Sequence, residues 1–132
     1  MKISDYLVVA APLTPSTRNL ISTTQLTLSK KGQVIINVGR GPIINEEALV
    51  TALTSTSSSL GGAALDVYSS EPLHSSSPLF GIPNLLMSSH NADKTINSRK
   101  DSVHCFLQQV KRVLQHDDLS HLENIVDPSE GY

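Results

Sequence analysis

Apolar residues along this chain gather in short continuous runs broken by Gly, Pro and Asn, with little alternation between apolar and polar positions. Continuous runs are the pattern of strands covered on both faces, as in a parallel sheet flanked by helices, because neither side of such a strand meets water. Residues 6–11, 34–38, 63–67 and 85–87 fit that description. The segments between the first three predict helices. One, over 22–28, is weak and follows a Thr14-Pro15-Ser16-Thr17 turn; the other, over 45–53, is stronger, with Asn45 as N-cap and Glu46 and Glu47 in the first turn, where carboxylates complement the helix dipole. Strand, helix, strand, helix, strand is the order of a parallel sheet with right-handed crossovers, an α/β fold.

The tail follows a different rhythm. Val103, Phe106, Leu107, Val110, Val113 and Leu114 recur at three- and four-residue steps, which predicts a long amphipathic helix over about 94–116 whose stripe needs another surface to lie on. Beyond it, 117–120 and 128–131 read as turn and extended chain, and the serine-rich pieces 57–59 and 75–77 read as solvated loops. The expected division is residues 1–93, carrying the sheet, and 94–132, carrying the helix and tail.

Composition narrows the function. With 132 residues and 39% hydrophobic content, the chain buries one modest core. Ten Lys and Arg against twelve Asp and Glu give a net charge of −2, which supplies no attraction to nucleic-acid phosphates or anionic lipid. Every apolar run is far shorter than the roughly 20 residues of a membrane-spanning helix, and the start shows no signal-peptide pattern; the expected compartment is the cytosol. The strand that begins so abruptly at Tyr6 suggests a missing upstream half. Cys105 has no internal partner and is expected to pack within the tail helix, and His74, His104, His116 and His121 lack regular ligand spacing, so no metal site is expected.

In an open parallel sheet, ligands sit beyond the carboxyl ends of the strands. Gly39-Arg40-Gly41 follows the second run, Asp66 and Glu71 the third, and Ser88-Ser89-His90 the fourth. The glycines do not complete a G-x-G-x-x-G fingerprint, because position 44 is Ile44. They are expected to let the backbone turn tightly while Arg40 projects, suited to gripping a carboxylate through two parallel hydrogen bonds; the alternative is a structural ion pair. His90 is either a packed, hydrogen-bonded histidine or an acid. If the carboxylate of Glu71 meets one ring nitrogen, it fixes the tautomer and makes the other nitrogen a proton donor. Otherwise Glu71 is an exposed loop acid before Pro72, and Asp66 a residue that ends a strand and caps a turn.

Taken in order, Ala11-Pro12-Leu13-Thr14-Pro15-Ser16-Thr17-Arg18-Asn19-Leu20-Ile21, Ile36-Asn37-Val38-Gly39-Arg40-Gly41 with Glu46-Glu47-Ala48-Leu49, Gly62-Ala63-Ala64-Leu65-Asp66-Val67-Tyr68 with Glu71-Pro72-Leu73, and Ser89-His90 resemble the NAD(P)-dependent D-isomer-specific 2-hydroxyacid dehydrogenases. The resemblance implies the C-terminal half of a doubly wound parallel-sheet (Rossmann) dinucleotide-binding domain followed by a long amphipathic helix. It implies that Arg40 holds the substrate carboxylate, His90 is the acid/base, Glu71 orients it, and Asp66 lies beside the nicotinamide end of NAD or NADP, with Pro12, Val38 and Gly39 lining the cofactor. The resemblance implies a small 2-oxo or 2-hydroxy acid as substrate, and the stretch from Asp66 to Leu73 is most similar to glyoxylate and hydroxypyruvate reductases, with phosphoglycerate dehydrogenases also similar.

Members of the family are typically more than twice this long, and this chain carries neither their substrate-domain portion nor their glycine-rich half. The resemblance therefore implies weak or no activity for the chain alone, working as a homo-oligomer or with a missing N-terminal half. The alternative on the same fold is a non-catalytic interaction module, similar to the C-terminal-binding-protein corepressors. The edge of 6–11 and the uncovered tail stripe would favour self-association.

Overall fold

A computed structural model describes residues 1–115 and 122–129. The predicted turn at 117–120, the His116 and His121 pair, and residues 130–131 of the terminal segment lie outside the described residues. The chain forms two units, Met1–Asn91 and Ala92–Tyr132.

In the first unit, β1 (Tyr6–Val9), α1 (Thr23–Leu26), β2 (Gln33–Asn37), α2 (Glu46–Thr54), β3 (Leu60–Leu65) and β4 (Leu85–Met87) follow one another. The strands form one sheet in the order β1-β2-β3-β4, parallel throughout, which is the Rossmann-like arrangement the apolar runs predict. The crossover from β3 to β4 holds only a short 3-10 turn, Pro78–Gly81. β4 coincides with its predicted run, whereas the others end one or two residues early, at Val9, Asn37 and Leu65, where the chain bends into ligand-edge loops.

Helix ends follow local hydrogen bonding. The Asn45 side chain accepts the Ala48 N–H at 2.9 Å, capping α2 as its sequence predicts, a contact worth about 1 kcal/mol. α1 is shorter than expected because the N–H groups of Leu28 and Ser29 bond back three residues to Gln25 and Leu26, tightening the chain into a terminating turn. Leu26 of α1 and Leu49 and Leu53 of α2 join Val9, Ile35 and Leu65 in the buried core. Side chains between these strand positions point to the opposite face. There the register aligns Val8, Ile36, Ala64 and Leu86 across all four strands, and Val8 and Leu86 are 57% and 75% exposed. In this chain α1 and α2 bury one face of the sheet, while on the other Val8 and Leu86 are exposed and Ile36 and Ala64 are half-buried.

The second unit contains α3 (Ser98–Gln115), in which no residue is buried. It begins later than the apolar stripe suggested, because the N–H and hydroxyl of Ser98 both turn back onto the Thr95 carbonyl. Val103, Phe106, Leu107, Val113 and Leu114 are exposed along its stripe. Cys105 is exposed rather than packed, like the rest of α3, in which no residue is buried. Among the described residues, no helix is long and apolar enough to cross a membrane.

Candidate active site

Because the strands are parallel, their carboxyl ends share one edge, and main-chain bonds continue past the ends to staple the loops there. The N–H groups of Val38, Asp66 and Ser88 donate to the carbonyls of Val9, Asn37 and Leu65, and that of His90 donates to the Asp66 carbonyl at 2.8 Å. Pro12, Val38, Gly39, Arg40, Asp66 and His90 are thereby carried to this edge.

The Arg40 turn is built around Asn37, which is 1% exposed. Its side-chain amide donates to the Arg40 carbonyl and its side-chain oxygen accepts the Gly39 N–H, both at 3.1 Å. A buried carboxamide with both ends used is a bracket whose loss would strand two main-chain groups. The glycines serve close approach, not turn conformation: neither has a left-handed φ, a Cβ at Gly39 would lie 2.8 Å from the Ala11 carbonyl oxygen, and one at Gly41 would lie 1.9 Å from the Tyr68 carbonyl carbon. Arg40 itself is exposed, its Nη1 donating to the Gly39 carbonyl at 2.8 Å.

Across the edge, His90 Nδ1 lies 2.7 Å from Glu71 Oε2. Facing a carboxylate, Nδ1 carries the proton and donates, which leaves Nε2 as the position for a second donor. The other oxygen, Glu71 Oε1, accepts the Tyr68 N–H at 2.9 Å. The hydrogen bond from His90, then that from Tyr68, hold the Glu71 carboxyl below the usual glutamate range against the opposing effect of burial, with lesser contributions from the charges of His90 and Arg40. Arg40 thus reaches the pair through its field.

His90 sits at φ 50°, a left-handed backbone that costs a non-glycine residue on the order of 1 kcal/mol. Bonds from Asp66 hold it there. Asp66 is buried, and its Oδ1 accepts the Ser88 hydroxyl at 2.6 Å and the Asn91 N–H at 3.0 Å. The phenol of Tyr68 reaches the Ser88 carbonyl, and Glu46 at the start of α2 accepts the Ser69 N–H. Burial, and next the Asp66 charge, push the Tyr68 phenol above its ordinary pKa.

Glu71 and His90 line a cleft of about 720 Å³ that they share with Leu73, Phe80 and Met87, a size and mixed character typical of small-molecule sites. Arg40, Pro12, Val38 and Gly39 do not line it. The structure therefore joins His90 to Glu71, sets Arg40 within electrostatic range, and places Asp66 behind the His90 loop. Sequence reasoning passed over Asn37, Tyr68 and Ser88 as site builders; an amide inside an otherwise apolar strand was the available signal for Asn37.

A Rossmann-like parallel sheet with a carboxylate–imidazole pair beyond its strand ends defines the class: an α/β domain of the dinucleotide-binding type. Residues 1–92 match the family model of the D-isomer specific 2-hydroxyacid dehydrogenase, NAD binding domain, and the chain belongs to that family. It is 36% identical over 125 residues to glyoxylate/hydroxypyruvate reductase B of Pectobacterium carotovorum, covering 95% of this chain and 38% of that protein. Identity to glyoxylate/hydroxypyruvate reductase A of Arabidopsis thaliana is 45% over 97 residues, covering 73% of this chain and 30% of that one. Among solved structures, the NADPH-dependent glyoxylate/hydroxypyruvate reductase of Sinorhizobium meliloti, in complex with NADP and sulfate, superimposes with a TM-score of 0.85 at 30% identity, covering 99% of this chain and 41% of that chain. The D-isomer specific 2-hydroxyacid dehydrogenase of Xanthobacter autotrophicus, in complex with NADPH and MES, gives 0.81 at 36% identity, covering 98% and 50%. The chain thus spans well under two thirds of these relatives.

Proposed function

We propose that this chain supplies the acid/base and carboxylate-holding part of a cytosolic NAD(P)-dependent reductase of small 2-oxo acids such as glyoxylate and hydroxypyruvate. The observation that carries the reading is the 2.7 Å bond between His90 Nδ1 and Glu71 Oε2 at the carboxyl edge of a parallel sheet. Glu71 holds the Nδ1 proton, fixes the ring and stabilises the imidazolium, so that Nε2–H donates its proton to the keto oxygen as that oxygen gains charge. Arg40 grips the substrate carboxylate through two parallel bonds, which requires its guanidinium to leave the Gly39 carbonyl.

The residues present fit the nicotinamide end of NAD(P): exposed Pro12 and Val38 and the main chain at Gly39 offer a low shelf, with Asp66 and the His90 pair beside it. NAD(P)H, when bound, supplies the hydride that reaches the keto carbon. The sequence contains no G-x-G-x-x-G, the element whose helix N-terminus holds pyrophosphate, so weak or no turnover is expected of the chain alone. The proposed setting is a homo-oligomer or an assembly with an N-terminal half, supported by the exposed apolar sheet face.

The experiment grafts residues 1–132 onto the N-terminal portion of a longer relative and follows NADPH oxidation with glyoxylate and hydroxypyruvate. The chimera is expected to turn over and the isolated chain to do so weakly or not at all. A folded chimera without activity on any small 2-oxo acid would overturn the reading.

A further inference from the structure

Tyr68 bonds to Glu71 and to the Ser88 carbonyl two residues before His90, and no role follows for it from the reading above. Its main-chain N–H donates to Glu71 Oε1 at 2.9 Å. Its phenol oxygen lies 2.7 Å from the Ser88 carbonyl and 3.2 Å from that of Leu65. A phenol has one proton to give, and the shorter distance marks Ser88 as the main acceptor. We propose that Tyr68 is a positioning residue for His90: its hydroxyl pins the Ser88–Ser89 peptide and so maintains the left-handed backbone that presents the His90 ring to Glu71. The proposal rests on the reading of His90 as the proton donor.

The geometry carries it in three steps. First, His90 at φ 50° relaxes toward ordinary backbone unless its neighbours are held. Second, Asp66 accepts the His90 and Asn91 N–H groups and the Ser88 hydroxyl, and the Leu65 carbonyl accepts the Ser88 N–H; the Ser88 carbonyl is reached by Tyr68. Third, Tyr68 is only 9% exposed, so its ring is fixed and its hydroxyl cannot wander. Burial and the nearby Asp66 charge keep the phenol protonated, hence a donor throughout the neutral range. Phenylalanine would fill the same space and keep the main-chain bond to Glu71 while losing only the oxygen.

The test is NMR on the full labelled chain. In Tyr68→Phe, the Glu71 carboxyl midpoint is expected to rise toward the ordinary glutamate range, the His90 ring nitrogens to shift, and amide exchange at His90 and Asn91 to accelerate at least tenfold. A role in packing alone would instead speed exchange along β3 and β4 and leave the Glu71 midpoint in place, which would overturn the proposal. Glu71→Gln separates the two levels. If it shifts the His90 ring nitrogens while Tyr68→Phe is silent, the positioning role falls and the pair stands; if Glu71→Gln is silent as well, the pair fails and the positioning role with it. Should Tyr68→Phe not fold, the wild-type phenol proton decides: slow exchange with a cross-peak to the Ser89 amide supports the proposal, and rapid exchange with water overturns it.

Discussion

Two regions of this molecule invert the usual relation between regularity and constraint. α3 is eighteen residues of unbroken helix with no buried residue, whereas the irregular loops from Asp66 to Asn91 hold an imidazole in a costly backbone state by bonds to carbonyls, a carboxylate and a phenol. Helical bonds satisfy the main chain of α3, whereas the loops around His90 are held by several separate bonds from other segments. Local order therefore comes from the number of independent anchors on a segment and not from its helicity.

The largest expected effect lies in the anchored region. In the active chimera, His90→Gln should lower kcat about 10²- to 10⁴-fold, the usual range for loss of a general acid, with NADPH affinity retained; near-normal turnover would remove His90 from the reaction. Leu49→Ala, in the core beneath the loops, should cost about 2–5 kcal/mol in urea unfolding. Gly41→Ala should destabilise by about 1–3 kcal/mol, since its methyl must displace the Tyr68 main chain, and it should also disturb the Glu71 titration. A Gly41→Ala chain with unchanged stability would mean the two loops are not in contact.

The pH response sharpens the same contrast. The Glu71 carboxyl is depressed in the folded state, first by its His90 hydrogen bond. Its contribution is therefore fully present above the ordinary glutamate pKa and is lost as pH falls through the lowered folded value. Carboxyl carbon shifts should show Glu71 titrating below a flexible-chain glutamate; titration at or above that reference would contradict the pair. Smallest of all, Lys111→Ala on α3 should change stability by less than about 0.5 kcal/mol, because no residue of that helix is buried.

Much of this was legible beforehand, and for identifiable reasons. Continuous apolar runs located the strands, the Asn45 cap located α2, and the rule that ligands gather beyond strand carboxyl ends singled out Arg40, Glu71 and His90. Contacts made through the main chain were not legible. An amide within an apolar run marks Asn37 as unusual but does not name its partners, and nothing in the residue string shows that Tyr68 reaches the Ser88 carbonyl, since every residue offers the same carbonyl. Glycines beside Arg40 suggest a turn because flexibility is a property of glycine alone, while the crowding they relieve belongs to other segments, at Ala11 and Tyr68. Residue type argues for burial of Cys105, but the whole of α3 is without buried residues, and a residue string does not show whether a helix finds a surface to cover it.

The 1.9 Å separation between a Cβ at Gly41 and the Tyr68 carbonyl carbon makes the arginine turn and the glutamate loop a single cassette. A side chain introduced at position 41, or a shift of the main chain at Tyr68, has to be accommodated by the other segment, so neither can be redesigned in isolation.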